Sequence, residues 1–324
     1  MRYRALGRTG LVVSEVGFGA WGIGGRTADL TSYGDTDDRT SLAALTRAFD
    51  RGITFIDTSA AYGDGHSEEL IGQAARGRRE SLVIATKAGY DSWQRPPDFS
   101  PAAIIASAER SLRRLGSDYI DLLQLHNPPL ECLADEAAGG ALKRLLDEGK
   151  IRSWGVSCKG PDQALAAIQH HAPPVVQANF NMMDLRALDS GLLDETARTS
   201  TGFIARTPLC FGFLSGRVGR DTRFPPGDHR SRWPRAQVDN WIDGAADLLA
   251  AVGATPGPAA VQAAIRFCLS FPAVSSTIPG ILKPHEADED SAASDLGPLS
   301  TGVLAAVQAI NRSRQFFVSP APAA

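Results

Sequence analysis

Three polar residues with complementary chemistry stand where three predicted strands end. Asp57, Lys87 and His126 each close a short apolar run of β-forming residues. The carboxyl ends of parallel strands meet at one edge of a sheet, so we expect the three side chains to point into the same mouth. Tyr62 follows Asp57 within a loop of small residues and is close enough to join them. This pattern predicts an active site at the carboxyl edge of a parallel sheet.

The four residue types suit an acid catalyst that acts on a carbonyl group. An ammonium group beside a phenol stabilises the phenolate, so Lys87 would make Tyr62 a better proton donor. A carboxylate at Asp57 would keep the lysine charged and oriented. His126 could hydrogen-bond a carbonyl oxygen as negative charge develops on it, while another group delivers hydride. The alternative is a structural ion pair with two bystander residues, which polar residues at three adjacent strand ends disfavour.

The elements that must position these residues alternate between strand and helix. Strands are predicted at 16–19, 54–59, 82–87, 119–126, 151–157, 175–180, 203–205 and 275–278. Helices are predicted near 38–51, 67–76, 101–115, 133–148, 161–170, 189–199, 237–252, 257–270 and 284–293. A hairpin formed by 3–6 and 11–14 precedes them. Eight strand–helix units without a linker predict an α/β fold, one closed (β/α)8 TIM barrel, as a single domain over 1–324.

Local signals refine this pattern at helix ends and loops. Ser100, Pro101 and Gly116 mark the ends of the helix 101–115, and Ser67 is predicted to cap the helix that follows Tyr62. Residues 88–99 and 211–236 are long loops that should overhang the carboxyl face. The second loop region holds many arginines, namely Arg217, Arg220, Arg223, Arg230, Arg232 and Arg235. Residues 315–324 are expected to form a flexible tail.

The composition is that of an ordinary soluble globular protein. The 324 residues are 43% hydrophobic and 21% charged, and the net charge of −3 does not suggest a nucleic-acid partner. Four widely spaced cysteines without a CxxC or Cys/His cluster indicate reduced thiols and no metal site. We see no signal peptide and no run of about 18 apolar residues, so a cytoplasmic location without a membrane partner is expected.

Several different short motifs follow one another along the chain. They are LGRTGLVVS at 6–14, DTS at 57–59 with YG at 62–63, ATK at 85–87, DYID at 118–121, QLH at 124–126, GVS at 155–157, QANFN at 177–181, PL at 208–209 with LSG at 214–216, and IPG at 278–280. In this order and spacing the chain resembles the aldo-keto reductase family over nearly its whole length. The resemblance implies a catalytic tetrad of Asp57, Tyr62, Lys87 and His126, with Tyr62 as the general acid. It also implies a nicotinamide cofactor, bound across the barrel mouth without a Rossmann fold.

The resemblance assigns cofactor contacts residue by residue. Ser157, Cys158 and Gln177 match the residues that hold the carboxamide, although the family usually has Asn or another polar residue at the position of Cys158. Arg206 stands where many members stack a tyrosine on the nicotinamide. Further contacts are implied at Ala20, Trp21, Asp57, Thr207, Leu209, Phe211, Arg217, Gly280, Leu282, Lys283, Glu286 and Asp290.

The adenosine end departs from the family pattern. Glu286 and the pair Glu289-Asp290 stand where the family commonly has Arg or Gln before Glu-Asn, with Lys283 nearby. If Glu286 faces the ribose, its carboxylate would accept the 2′-hydroxyl of NAD and repel the 2′-phosphate of NADP. Lys283 and an arginine of the 217–235 segment could hold that phosphate instead. NADP is therefore the expected cofactor, and NAD is the alternative.

Several functions are compatible with this site. Trp21 and Trp93 on the mouth loops, with Tyr62 and His126, are expected to contact the substrate. The first expectation is an NADP-dependent reductase that converts a small aldehyde or ketone into an alcohol. The second is a sugar or nucleotide-sugar keto-reductase or an aldose dehydrogenase. The third is a non-catalytic barrel, like the family's ion-channel-associated β subunits, that senses cofactor and binds a protein partner; the complete tetrad argues against it.

Overall fold

The computed structural model describes residues 1–27, 31–134 and 136–318. Its strands are β1 (Tyr3–Ala5), β2 (Val12–Ser14), β3 (Phe18–Gly19), β4 (Phe55–Asp57), β5 (Val83–Ala88), β6 (Ile120–His126), β7 (Ile151–Ser157), β8 (Val175–Asn179), β9 (Gly202–Arg206) and β10 (Val274–Ile278). Its helices are α1 (Asp38–Asp50), α2 (His66–Ala74), α3 (Pro101–Leu115), α4 (Leu130–Ala134), α5 (Glu136–Asp147), α6 (Pro161–His171), α7 (Arg186–Asp189), α8 (Leu192–Thr199), α9 (Arg235–Ala251), α10 (Pro258–Leu269), α11 (Pro284–Leu296) and α12 (Thr301–Ser313).

The strands β3 to β10 form one parallel barrel in which neighbours in the chain are neighbours in the sheet. Parallel bridges from Val16 to Thr277 and from Gly19 to Gly280 join its first and last strands. The polar strand ends Asp57, Lys87 and His126 therefore meet at one mouth, as the alternating pattern predicts. Within the described part of the chain the (β/α)8 barrel with an N-terminal hairpin is confirmed.

The hairpin of β1 and β2 closes the opposite end of the barrel. Leu6 and Val13 of the hairpin region are fully buried against Phe55, Leu122 and Ile204, which point inward from β4, β6 and β9. Burial of one such side chain contributes about 1.5–3 kcal/mol. A larger apolar layer fills the space between the strands and the surrounding helices. With its floor packed in this way, the barrel leaves the carboxyl ends of the strands as the place for a site.

The structure differs from the predicted helices in four places. The helix predicted at 133–148 begins earlier, with α4 and α5 on either side of residue 135, which lies outside the described residues. The helix predicted at 189–199 is two short helices, α7 and α8. No element was predicted for α12, which Ser300 caps through a bond from the Val303 N–H. The prediction that Ser67 caps α2 is wrong, because Gly65 with a φ of 102° occupies the cap position.

The end of the described chain is docked. The Gln237 side chain on α9 donates to the Phe316 carbonyl at 2.8 Å and accepts the Val318 N–H at 2.8 Å. Phe316 is buried against α9. Residues 315–318 of the predicted flexible tail are therefore held in place, and residues 319–324 lie outside the described residues. Among the helices that the structure describes, none is both long and apolar enough to cross a membrane.

Candidate active site

The loop that carries Tyr62 is held closely against the loop after β3. A Cβ atom on Gly63, where φ is 62°, would lie 2.1 Å from the Gly24 carbonyl oxygen, so this contact requires glycine. Behind the loop, the Ser67 hydroxyl donates to the Ala20 carbonyl at 2.9 Å and lies 2.8 Å from the Thr58 hydroxyl. Ser67 thus ties the start of α2 to the ends of β3 and β4, which fixes where Tyr62 stands.

Asp57, Lys87 and Tyr62 form one hydrogen-bonded chain. The Lys87 Nζ donates to Asp57 Oδ1 at 2.5 Å, to the Thr58 carbonyl at 2.8 Å and to the Tyr62 hydroxyl oxygen at 3.3 Å. Lys87 and Asp57 are both buried. Burial opposes the charge on Lys87, but Asp57 and then Tyr62 outweigh it and raise the lysine pKa. Lys87 is therefore an ammonium ion that contacts the phenol directly.

Two glutamines hold the other oxygen of Asp57. Gln124 Nε2 donates to Asp57 Oδ2 at 2.9 Å and Gln177 Nε2 donates to it at 2.8 Å. The Ser157 hydroxyl donates to Gln177 Oε1 at 3.2 Å and so orients the second amide. A buried carboxylate is stable when hydrogen bonds and a cation satisfy both of its oxygens, as they do here.

His126 is neutral and presents one nitrogen to the mouth. Burial, then the positive charges of Lys87 and Arg206, lowers its pKa well below the usual value. Its Nδ1 lies 3.2 Å from the Ser59 Oγ, which also accepts the Ala61 N–H at 3.2 Å. The Ser59 hydroxyl can donate its proton to Nδ1. Nδ1 is then an acceptor, and the proton of the neutral imidazole is on Nε2. His126 can therefore donate a hydrogen bond without carrying a charge.

The four predicted catalytic residues lie at the end of an open cavity that holds about 980 Å³ of empty space when the solvent at its mouth is included. We call it the catalytic cavity. Its walls are Gly19, Ala20, Trp21, Gly22, Thr31, Tyr33, Asp57, Tyr62, Trp93, His126, Asn127, Gln177, Asn179, Arg206, Thr207, Phe211, Ile278 and Gly280. The ring of Trp93 packs 5.2 Å from that of His126, and Tyr90 packs 5.5 Å from it. Lys87 lies behind this wall and reaches the cavity through Tyr62.

A second space, which we call the side groove, continues from the catalytic cavity and holds about 970 Å³ when the open solvent above it is included. Its walls are Tyr33, Thr207, Pro208, Leu209, Phe211, Gly212, Ser215, Arg217, Val218, Arg230, Val261, Gly280, Leu282, Glu286, Glu289 and Asp290. The two spaces share Tyr33, Thr207, Phe211 and Gly280. At this junction Thr207 and Phe211 have left-handed φ angles of 59° and 55°. Such strain in non-glycine residues is concentrated at functional sites.

Most of the predicted cofactor residues line one of these spaces, but three do not. Ser157 is fully buried and acts through Gln177. Cys158 is fully buried in the apolar layer between strands and helices, where burial raises its pKa to about 12. Cys158 directly follows β7, and its side chain packs with the apolar layer on the helix side of the barrel, away from the cavity. Lys283 is exposed and lies outside both linings.

Acidic residues dominate one wall of the side groove. The Glu286 carboxylate accepts the N–H groups of Leu282 and Lys283 at 2.7 and 3.0 Å, which caps α11. Glu289 accepts two bonds of 2.8 Å from Arg217. Asp290 is buried, and no described residue hydrogen-bonds its Oδ2. Burial, then the charges of Glu286 and Glu289, raises the pKa of Asp290 well above its usual range.

The arginines of the 217–235 segment are distributed over several contacts. Arg217 and Arg230 line the side groove. Arg230 pairs with Asp228 at 2.6 Å and donates to the Phe211 carbonyl at 3.0 Å. Arg220 and Arg235 instead pair with carboxylates of α9, at distances of 2.6 and 2.7 Å. The segment is thus largely held by its own ion pairs.

Sequence reasoning gave no site role to Tyr33, Asn127 or Asn179, which line these spaces, and named Arg230 only as one of several arginines on a long loop. Tyr33 packs 5.0 Å from Trp21 and 5.2 Å from His229, with the Arg230 guanidinium 4.8 Å above its ring. These contacts join two loops far apart in the chain, so no local signal marks them. Asn127 and Asn179 were detectable, because each directly follows or ends a barrel strand.

Comparison with known proteins agrees with this geometry. The family model described as the aldo/keto reductase family matches residues 15–312. The chain is 33% identical to the aldo-keto reductase YhdN of Bacillus subtilis, over 88% of this chain and 86% of that one. It is 29% identical to a probable voltage-gated potassium channel subunit beta of Oryza sativa, over 97% and 98%.

A solved structure resembles the whole barrel. The glycerol dehydrogenase AKR11B4 of Gluconobacter oxydans superposes with a TM-score of 0.79 at 27% identity, over 99% of each chain. The family consists of oxidoreductases that use nicotinamide cofactors. Given the match along nearly the whole chain, this protein belongs to the aldo/keto reductase family.

Proposed function

We propose that the protein reduces an aldehyde or ketone to an alcohol with NAD(P)H, with Tyr62 as the proton donor. The observation that carries this proposal is the buried chain from Asp57 through Lys87 to the Tyr62 hydroxyl at the end of an aromatic cavity. The ammonium of Lys87 stabilises the phenolate that remains after proton donation. His126, as a neutral donor, hydrogen-bonds the carbonyl oxygen while charge develops on it.

The step is balanced by one hydride and one proton. When bound, the reduced nicotinamide supplies the hydride to the carbonyl carbon. Tyr62 gives its hydroxyl proton to the carbonyl oxygen, so that C=O becomes CH–OH and the phenolate stays beside Lys87. Solvent then returns a proton to Tyr62. In the oxidative direction the same phenolate acts as the base.

The residues present fit an extended dinucleotide. The catalytic cavity and the side groove share four wall residues, so one ligand can occupy both. Gln177 presents its amide at the catalytic end, where Ser157 orients it. At the far end Asp290 offers a buried carboxyl group that no described residue hydrogen-bonds. An exocyclic amine of a base would satisfy such a group.

The contacts of the side groove favour NADH, although the sequence and the family favour NADPH. Glu286 lines the groove, and Arg217 is already paired with Glu289 in a bidentate contact. Lys283 is exposed and lies outside the lining. A 2′-phosphate brings roughly two negative charges, which these carboxylates would repel. We therefore propose that both cofactors bind and that NADH binds more tightly.

Steady-state oxidation of NADH and NADPH, with a panel of aldehydes and ketones, tests the proposal. We expect turnover of at least one carbonyl compound and a lower KM for NADH. Tight cofactor binding without turnover of any carbonyl would contradict reduction and would favour the cofactor-sensing barrel instead. Turnover with KM for NADPH tenfold below that for NADH would contradict the preference alone.

A further inference from the structure

Asn127 is a polar residue of the catalytic cavity that the tetrad does not use. It directly follows His126 and lines the same cavity as Tyr62 and Trp93. The residue is only 7% exposed, and no described residue hydrogen-bonds its Oδ1. The neighbouring amide of Asn179, in contrast, already accepts bonds from Arg206 and Thr207 at 2.8 and 3.0 Å.

The backbone holds Asn127 in an uncommon conformation. Its φ is 51°, in the left-handed region, and its N–H donates to the Ser157 carbonyl at 2.6 Å. Asparagine tolerates this region better than most residues. A buried polar group without a partner costs about 1–3 kcal/mol. Unsatisfied hydrogen bonding and left-handed backbone at one cavity residue together indicate a group that is completed by a ligand.

A hydroxyl group is the ligand chemistry that fits this amide. The last side-chain bond of asparagine rotates easily, so either its carbonyl oxygen or its NH₂ can face the cavity. A hydroxyl both donates and accepts, and it can therefore pair with either end. The aromatic wall formed by Trp21, Trp93 and Phe211 would cover the carbon side of the same molecule.

The position of Asn127 limits where that hydroxyl can be. Asn127 directly follows His126, and the Cα atoms of consecutive residues are about 3.8 Å apart. The Asn127 amide is therefore close to the imidazole that binds the carbonyl oxygen. We propose that Asn127 selects carbonyl substrates with a hydroxyl on the carbon next to the carbonyl or on the one after it, namely short hydroxyaldehydes and hydroxyketones. This inference rests on the proposed carbonyl reduction and adds the substrate class to it.

Paired substrates that differ by one hydroxyl test the inference. The measurement is kcat/KM for glycolaldehyde against acetaldehyde and for hydroxyacetone against acetone. A site that hydrogen-bonds a substrate hydroxyl rejects the analogue without it strongly, so we expect a preference of about 10-fold or more in the wild type. In Asn127→Gly, which suits the left-handed backbone, the preference should fall to about threefold or less. Asn127→Asp keeps an acceptor and should retain part of it.

Ser200→Gly is the matched control. Ser200 is an exposed residue at the end of α8 that, like Asn127, has a left-handed φ, of 53°, without being glycine, and it lies outside the catalytic cavity. Its replacement should leave the hydroxyl preference unchanged. If Asn127→Gly lowers kcat/KM equally for the substrate with the hydroxyl and for the one without it, Asn127 has a structural role and the inference is overturned. Turnover of carbonyls without a wild-type preference would overturn it too, and only a lack of all turnover would also remove the proposed function.

Discussion

The Lys87 Nζ lies 2.5 Å from the Asp57 Oδ1, and the two residues are buried on neighbouring parallel strands. Removal of one partner of a buried pair leaves an uncompensated charge, which costs about 3–5 kcal/mol, so the two residues must be tested together. The same contact places the lysine 3.3 Å from the Tyr62 hydroxyl oxygen. The pair therefore has a structural role and also places a positive charge beside the Tyr62 hydroxyl.

Tyr62→Phe should abolish reduction while cofactor binding changes little. The substitution removes the donated proton and keeps the ring that packs 6.1 Å from His126. Loss of a general acid lowers turnover by about 100-fold or more. The measurements are kcat and the cofactor dissociation constant. Turnover within threefold of the wild type would exclude Tyr62 as the proton donor.

Lys87→Met should slow alcohol oxidation while cofactor binding changes little. Without the ammonium, the phenolate that acts as the base loses the positive charge that stabilises it, so kcat for oxidation should fall. Asp57→Asn/Lys87→Met is the control, because it removes both buried charges and restores stability that the single variant loses. If kcat for oxidation stays within threefold of the wild type in both variants, Lys87 does not act on Tyr62.

Ser59→Ala should affect catalysis through His126. The change removes the hydroxyl that lies 3.2 Å from Nδ1, so the imidazole proton is no longer directed to Nε2. One lost hydrogen bond is worth about 0.5–1.5 kcal/mol, which predicts a fall in kcat of about 10-fold at most. Because the pKa of His126 is already well below its usual value, the loss should be the same at pH 7 and pH 8. Ser59→Thr keeps the hydroxyl and should recover part of the rate.

Glu286 caps α11 and, in the proposed function, repels the cofactor 2′-phosphate. Glu286→Gln keeps an acceptor for the Leu282 and Lys283 N–H groups and removes the charge, so NADPH should gain affinity relative to NADH without loss of thermal stability. Glu286→Arg should favour NADPH further but lower the melting temperature, because a cap contributes about 0.5–2 kcal/mol. The measurement is the dissociation constant of each cofactor in the wild type and in both variants. An unchanged NADH-to-NADPH ratio in both variants would place the ribose elsewhere.

Asp290→Asn should stabilise the protein at neutral and alkaline pH. Burial, followed by Glu286 and Glu289, raises the pKa of Asp290 in the folded state. An acid with a raised folded pKa favours folding at a pH below its unfolded value, and this contribution is lost as pH rises through the folded value. The amide cannot ionise, so the gain in melting temperature should be absent near pH 4 and grow above it. A gain independent of pH would show that folding does not raise the pKa of Asp290 and would contradict this prediction.

The barrel and the end of it that carries the candidate site follow from the sequence pattern alone. Apolar runs that stop at Asp57, Lys87 and His126 place these residues at one edge of a parallel sheet, whatever the details of packing. The helix α3 was predicted with its true ends, since Ser100, Pro101 and Gly116 act through bonds within a few residues. These features are local or follow from strand direction alone.

The pairing of the charged residues, in contrast, is set by the tertiary structure. Glu286 is committed to a helix cap, Arg217 to Glu289, and Arg230 to Asp228. These pairings set the charge that a cofactor phosphate would meet. Tyr33 joins the cavity through contacts with a loop nearly 200 residues later in the chain. Such contacts depend on how long loops fold over the barrel mouth, and the free energy of each is small enough that local sequence does not select it.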